Sequence, residues 1–315
     1  MLPVTIAHAA LLVRPSPTRS SAEGSSLLFV LWAIMLTSFA VIGLISNLSR
    51  GMDESIDAEK EFRARLLLQS ARVVASHPAI ESGEPLLRQQ VSSVSSYEIT
   101  LTTEGIYLAI NQLAASAPQR EFARRLFEKW GMDGKSAEAL VDSIADWIDA
   151  DDQPRPNGAE RDYYLRLGNP HFPFNQPLTD IDDLTFVRGF EELDHLRPDW
   201  RDYFTIYGDG TIDIHRAAPE LLEVLFNVTR SEISRFISAR NGPDGLPDTL
   251  DDRRFTTLEE MRGFLDVPPS NYAAVSKLLT LNHPIKRTDC IAWAGGLKRR
   301  LTIIKGPGVD ILREE

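Results

Sequence analysis

Six oxygen-bearing side chains, Asp149, Asp151, Asp152, Asn157, Glu160 and Asp162, crowd into fourteen positions of the stretch "DWIDADDQPRPNGAERDYY". A set of oxygens without nitrogen or sulfur suits a hard cation. Calcium takes about six to eight of them, most readily from a flexible loop. Pro154 and Pro156 stiffen this loop and Asn157-Gly158 turns it back, so acids from its two ends can converge. Unpaired, the carboxylates repel one another, whereas a bound cation converts the repulsion into cross-linking. The spacing is not that of an EF-hand, and the alternative is a solvated loop whose acids cap helices and keep the surface negative. A second acidic loop, with Asp244, Asp248, Asp251 and Asp252, offers a sparser set of the same kind.

Other chemistries find little support. The chain lacks Gly-x-Ser-x-Gly, the full Gly-x-x-x-x-Gly-Lys-Ser/Thr phosphate loop and His-Glu-x-x-His, so the sequence predicts no catalytic residue and no enzyme. His77, His171, His195, His215 and His283 are far apart and read as surface or loop residues, and His8 lies near the start. Cys290 is the single cysteine, which precludes an intramolecular disulfide, and its strand-like surroundings predict a buried structural thiol. A net charge of −11 repels nucleic acid and attracts cations.

The elements that must position the acidic loop begin with a membrane segment. Ser25 to Ser49 is uncharged, and Leu27 to Trp32 are apolar on every side of a helix. A helix needs roughly 20 such residues to cross a bilayer. Arg14 and Arg19 precede the run and Asp53, Glu54 and Asp57 follow it, which places the N-terminus in the cytoplasm. Ile56, Phe62, Leu66, Ser70 and Val73 continue a helical spacing until Pro78. Further on, "EGIYLAINQLAASAPQREFARRLFEKWGMDGKSAEALVDSIADWID" and "DGTIDIHRAAPELLEVLFNVTRSEISRFISARN" read as two strand–helix–turn–helix units. Core stripes are expected from Phe122, Leu126 and Trp130, from Leu140, Ile144 and Trp147, and from Leu221, Leu225, Ile233 and Ile237. Strand alternation occurs at 97–103, 203–214, 285–293 and 297–304, with Gly295-Gly296 as a hairpin turn. The fold class is α+β: a long N-terminal transmembrane helix on a small antiparallel sheet, with a mostly helical inserted domain holding two helix-hairpin-helix-like repeats.

The glycine-preceded membrane helix, "ALVDSIADWIDADDQPRPNGAERDYY" at 139–164, "LTDIDDLTFVRGF" at 178–190, "GDGTIDIHRAAPELLEVL" at 208–225 and the closing hairpin together resemble the type II secretion system protein K family of minor pseudopilins. The resemblance implies a leader at 1–24 cut by a prepilin peptidase between Gly24 and Ser25, and a transmembrane helix at 25–49. It also implies a periplasmic helix with the first strands at 50–110, an inserted helical domain at 111–202, a second strand and helix-hairpin-helix-like unit at 203–282, and a C-terminal hairpin at 283–315. Phe29 stands at the fifth position after the cut, where typical pilins carry Glu. A carboxylate in hydrocarbon must be paired, naturally with the amino terminus of the subunit above, and a topmost subunit has nothing to pair with. The expected role is therefore to cap the tip of the periplasmic pseudopilus and help initiate its assembly. The expected location is the inner membrane, single-pass, with the C-terminal domain in the periplasm. I- and J-type minor pseudopilins, the major pseudopilin and the prepilin peptidase are the expected partners, and nucleic acid is not one.

Members of the resembled family hold calcium, which tips the reading of the acidic loop toward an ion. A subunit of a type IV pilus or DNA-uptake filament is the alternative to secretion. The second helix pair resembles helix-hairpin-helix modules, yet its turn, "NVTRSE", lacks the glycine whose backbone would approach phosphates.

Overall fold

The computed structural model describes residues 22–77, 79–80, 82–245, 247, 249 and 251–315, with side chains from residue 26 onward. The expected leader up to Ser21 with His8, the helix stop at Pro78 and the acid Asp248 lie outside the described residues. At Gly24 and Ser25 only the helical backbone is described. The chain divides into two compact units, one ending at Glu59 and one beginning at Lys60.

Helix α1, Ala22–Ala75, runs through the described part of the first unit. Every residue from Ser26 to Glu59 is exposed. An 18-residue window of mean hydropathy 2.5 makes this helix long and apolar enough to cross a membrane. Two polar side chains of the apolar run are satisfied within the helix: the Thr37 hydroxyl donates to the Ala33 carbonyl at 2.9 Å and the Asn47 amide to the Gly43 carbonyl at 3.0 Å. Such back-bonding is what hydrocarbon requires of a polar group.

In the second unit, α1 is followed by β1 (Arg88–Ser92) and β2 (Ser95–Thr103). The chain then leaves the sheet through β3 (Leu108–Ala109), α2 (Ala117–Lys129), α3 (Gly134–Ile148), α4 (Arg161–Arg166), α5 (Phe190–Leu196), β4 (Phe204–Thr205), β5 (Ile212–Asp213), α6 (Pro219–Phe226), α7 (Arg230–Arg240), α8 (Leu258–Leu265), α9 (Pro269–Val275) and β6 (Leu279–Thr280). It returns as β7 (Lys286–Ala294), β8 (Leu297–Gly306) and β9 (Val309–Glu314). The five long strands form one antiparallel sheet in the order β1-β2-β7-β8-β9. Thr103 and Lys286 are directly paired, so the insertion departs and re-enters at one point of the sheet. This is the expected α+β architecture.

From Lys60 on, α1 packs one face on the sheet. Ala64, Leu68 and Ala71 are buried, and Leu68 and Ala71 join Tyr97, Ile99, Cys290, Ala292 and Leu301 in one core. Burial pushes the Cys290 thiol up to about 11, as befits a structural residue. Other apolar residues of the same stretch face outward: Phe62 is 63%, Leu66 46% and Val73 72% exposed. Ile56 and Ser70 are exposed too. The three- and four-residue spacing correctly marks a helix, but the stripe it picks out is not the face that meets the sheet.

The insertion has a larger core of its own, which takes in all three expected stripes, Ile237 only at its margin. A helix pair stands at each place where the sequence suggests a repeat, and the two turns differ. Gly131 takes φ 102° before the Asp133 cap of α3, whereas Asn227 takes φ 53° before a capping box from Thr229 and Glu232 at α7. The stretch 203–214 is not one strand of the sheet. It contributes only the two-residue β4 and β5, parallel to β3 and β6, because Gly208 and Gly210 interrupt it. Strands β1 and β9 extend the sheet beyond the expected members. The turn between β7 and β8 is as expected, with φ 56° and 88° at Gly295 and Gly296.

A buried polar junction mounts the insertion on the sheet. Glu104, fully buried, accepts from the Thr205 hydroxyl and lies 3.4 Å from Arg287 Nη1. Arg287 also donates to Asp289 at 2.6 Å, which in turn accepts from Thr302 at 2.7 Å. His283, also fully buried, meets Asp209 at 2.9 Å. A Cβ on Gly105 would stand 2.7 Å from the His283 ring, so the close approach requires glycine. His215 is buried as well, between the Leu281 carbonyl at 2.9 Å and the Phe255 amide at 3.0 Å. These two histidines are interior residues rather than surface ones, since backbone groups brought in from other segments satisfy both ring nitrogens of His215.

Candidate functional site

Helix α3 begins at an Asp133 cap, and its buried face carries Leu140, Val141, Ile144 and Trp147 into the insertion core. That anchoring fixes its last turn, where Asp146 and Asp149 lie three residues apart and therefore on one side. The helix stops at Asp149, whose backbone is extended at φ −71°, ψ 176°. The loop then folds back: the Gly158 amide donates to the Arg155 carbonyl at 3.0 Å, and Gly158 lies against the Asp146 carboxylate. A Cβ at residue 158 would come within 2.7 Å of Asp146 Cγ, so only glycine permits this approach. Two residues later the fold-back places Glu160 beside Asp146 and Asp149. One carboxylate oxygen from each of the three lies within 4.8 Å of the others.

Glu160 is 3% exposed, and neither of its carboxylate oxygens has a hydrogen-bond partner. Oδ1 of Asp149 is likewise buried and unpartnered. Glu160 stands at the N-cap position of α4 but makes no capping bond, which removes the helix-capping alternative for this residue. Burial pushes Glu160 up to about 8, with Asp146 and Asp149 the next largest contributors. Burial raises Asp146 as well, outweighing its bonds from Arg155. The two aspartates also sit at the negative end of the α3 dipole, with no basic residue in its last turn. Arg155 is the cation in contact: its Nη1 donates to Asp146 Oδ1 at 2.6 Å and to Asp149 Oδ2 at 2.5 Å.

Leaving buried carboxylate oxygens unpaired costs several kcal/mol or forces a proton onto them, by the general price of desolvating a charge. The donor set is oxygen only, which fits a hard divalent ion. Of the six residues expected from the sequence, the fold brings Asp149 and Glu160 together and adds Asp146. Asp151 accepts from the Gln153 amide at 2.9 Å and Asp152 from Asn175 at 2.9 Å. Asn157 is exposed, with its amide on Asp142 at 3.2 Å. Asp162 is exposed and shares with Asp152 and Glu160 the wall of a cavity of about 340 Å³. Asp146 could have been found from its i, i+3 relation to Asp149 on a predicted helix. In the second acidic loop, Asp251 accepts from the Asp244 amide at 3.2 Å and from Thr249 at 2.6 Å. Those oxygens are thus engaged within their own turn.

Beneath the cluster, Trp147 is enclosed by Tyr164, Phe172 and Phe174, with ring centroids 5.3, 4.9 and 5.5 Å away. The other expected positions lie on α1. Phe29 is 75% exposed within the apolar run, and the Gly24–Ser25 bond falls in helical backbone.

Residues 106–198, which contain the carboxylate cluster, match the family model "Type II secretion system (T2SS), protein K". A type II secretion system protein K from Dickeya chrysanthemi is 43% identical over 68 residues, 22% of this chain and 18% of that protein. One from Klebsiella pneumoniae is 31% identical over 147 residues, 42% of this chain and 44% of that protein. These alignments span less than half the length of the relatives. Among solved structures, the GspK-GspI-GspJ complex from the enterotoxigenic Escherichia coli type 2 secretion system contains a chain with the same fold. The match has a TM-score of 0.57 at 16% identity and covers 86% of this chain and 97% of that one. The comparisons thus agree with the resemblance read from the sequence: residues 106–198 are similar to the type II secretion system protein K model, and the described chain shares the fold of a chain in the GspK-GspI-GspJ complex.

Proposed function

We propose that this chain is a minor pseudopilin of a type II secretion system. Helix α1 anchors it in the inner membrane, and the residues after the span lie in the periplasm. There the chain caps the pseudopilus tip together with I- and J-type minor pseudopilins. The observation that carries this reading is the two-sided stretch from Lys60 to Ala75: the face with Ala64, Leu68 and Ala71 is spent on the chain's own sheet, while Phe62, Leu66 and Val73 are left outward. An outward apolar stripe on such a helix suits lateral packing against the helices of neighbouring subunits. The match to a chain solved in complex with GspI and GspJ supports the choice of partners. Phe29 in place of an acid, and the bulk of the insertion, favour a terminal position over an internal one.

The full chain in detergent is expected to co-elute with its I- and J-type counterparts. Replacing Phe62 and Leu66 by Asp should weaken that complex by about 3 kcal/mol, or roughly a hundredfold, since each buried apolar side chain contributes about 1.5–3 kcal/mol. Failure of the unaltered chain to co-elute would count against the tip reading. Processing supplies a second check. N-terminal sequencing of the membrane-extracted chain should begin at Ser25, and Gly24→Val should leave the precursor uncut. A mature start elsewhere would remove the pilin reading at its first step.

Asp146, Asp149 and Glu160 are proposed to hold one divalent cation, calcium by donor type, with further oxygens from the loop that carries Asp151, Asp152, Asn157 and Asp162. When bound, the ion supplies the charge that the buried carboxylates lack and ties the end of α3 to the start of α4. The three carboxylates are thereby cross-linked from both ends of the loop.

A further inference from the structure

Arg155 touches the carboxylate cluster from one side only. Its Nη1 engages Asp146 Oδ1 and Asp149 Oδ2 at 2.6 and 2.5 Å, and its backbone amide donates to Asp146 Oδ2 at 3.2 Å. Nη2 is tied to a separate segment through the Ala114 carbonyl at 3.1 Å. The oxygens without partners are the other ones: Oδ1 of Asp149 and both oxygens of Glu160. The guanidinium and the unpartnered face therefore use different oxygens of Asp149, and an ion on that face need not displace the arginine.

We propose that Arg155 remains in the cluster when a metal ion binds and, as a fixed counter-charge, sets the preference of the centre for divalent over trivalent ions. This inference rests on the metal-centre reading above. Three ionised carboxylates and one guanidinium, which stays charged at any ordinary pH, leave a residual charge of minus two. A divalent ion cancels that residue, whereas a trivalent one leaves a buried positive charge. The repulsion from Arg155 grows in proportion to the charge of the ion. Removing the arginine therefore favours a trivalent ion more than a divalent one, whatever else it does to the loop. Arg155 is a positioning residue in this account, since it also holds Asp149 by Oδ2 and leaves Oδ1 without a partner.

The test uses the full chain in detergent, stripped of metal and titrated with calcium and with terbium. Calorimetry reads both affinities, and luminescence sensitised by Trp147 reports terbium locally. Arg155→Gln is expected to raise the advantage of terbium over calcium by roughly tenfold or more, the order set by one unit charge at this range. Arg155→Lys, which keeps the charge, should hold the ratio near that of the unaltered chain. An unchanged ratio in Arg155→Gln, or a shifted one in Arg155→Lys, overturns the role of Arg155 and leaves the metal centre standing. If the unaltered chain binds neither ion, the centre itself is lost and this inference goes with it. Should Arg155→Gln fail to fold, phenylglyoxal labelling of the unaltered chain decides. Calcium should leave the rate of Arg155 modification unchanged, and a severalfold acceleration would mean that the arginine is expelled.

Discussion

Calcium at about 1 mM is expected to stabilise the EGTA-stripped chain by roughly 4 kcal/mol, the increment for a ligand held only by the folded state with micromolar affinity. The driving force is the cost of the ion-free cluster, in which Glu160 is 3% exposed and neither of its oxygens is partnered. That cost has a pH signature. The folded-state value of Glu160 is pushed up to about 8 from 4.5, so between those limits the ion-free folded chain holds a proton that the unfolded chain has lost. The stability contributed by this proton is fully present below pH 4.5 and is lost as pH rises through about 8. Ion-free melting temperatures should therefore fall across that interval. Calcium should reverse the trend, because the ion binds the ionised carboxylate. Glu160→Gln should abolish most of the calcium increment and flatten the ion-free pH profile. Thermal unfolding of the full chain in detergent, with EGTA and then with calcium at several pH values, measures all of this. A calcium shift that survives in Glu160→Gln, or none in the unaltered chain, removes the centre from these residues.

Arg287→Met is expected to cost about 3–5 kcal/mol, the range for leaving one member of a buried pair uncompensated. Glu104 is fully buried at the point where the insertion leaves the sheet, and Arg287 is the cation that reaches it, at 3.4 Å, while lying over the Tyr107 ring. Asp289 would keep its bond from Thr302, but Glu104 would retain only the hydroxyl of Thr205. The double variant Glu104→Gln/Arg287→Met should recover more than half of the loss, because the stranded charge is gone. Urea midpoints of the single and double variants decide between the accounts. Equal losses in both would mean that Arg287 acts through packing on Tyr107 and not through Glu104.

Much of this protein is legible along the chain because its causes are local. The uncharged run before Arg50 requires a helix that water would not tolerate. Gly295-Gly296 supplies the positive φ values of a tight hairpin. Trp147 and its i−3 and i−7 neighbours Ile144 and Leu140 mark a face that must be buried, and the stretch around Trp147 carries the family resemblance. Which stripe of α1 meets the sheet was not legible, since Phe62, Leu66 and Val73 satisfy the same spacing as Ala64, Leu68 and Ala71. Only the sheet, which presents Ala292 and Cys290 at close range, selects Ala64, Leu68 and Ala71. The acidic loop divides in the same way. Its composition alone points to a hard cation, yet counting oxygens cannot separate acids that stay in solvent from those drawn inside. The fold draws in Asp146, Asp149 and Glu160 and leaves Asp151, Asp152 and Asp162 out, because α3 is pinned by its core face and Gly158 permits the loop to close against it. Sequence sets the charge and the periodicity of each segment; which charges become desolvated neighbours depends on through-space packing between segments, and that is a property of the tertiary structure alone.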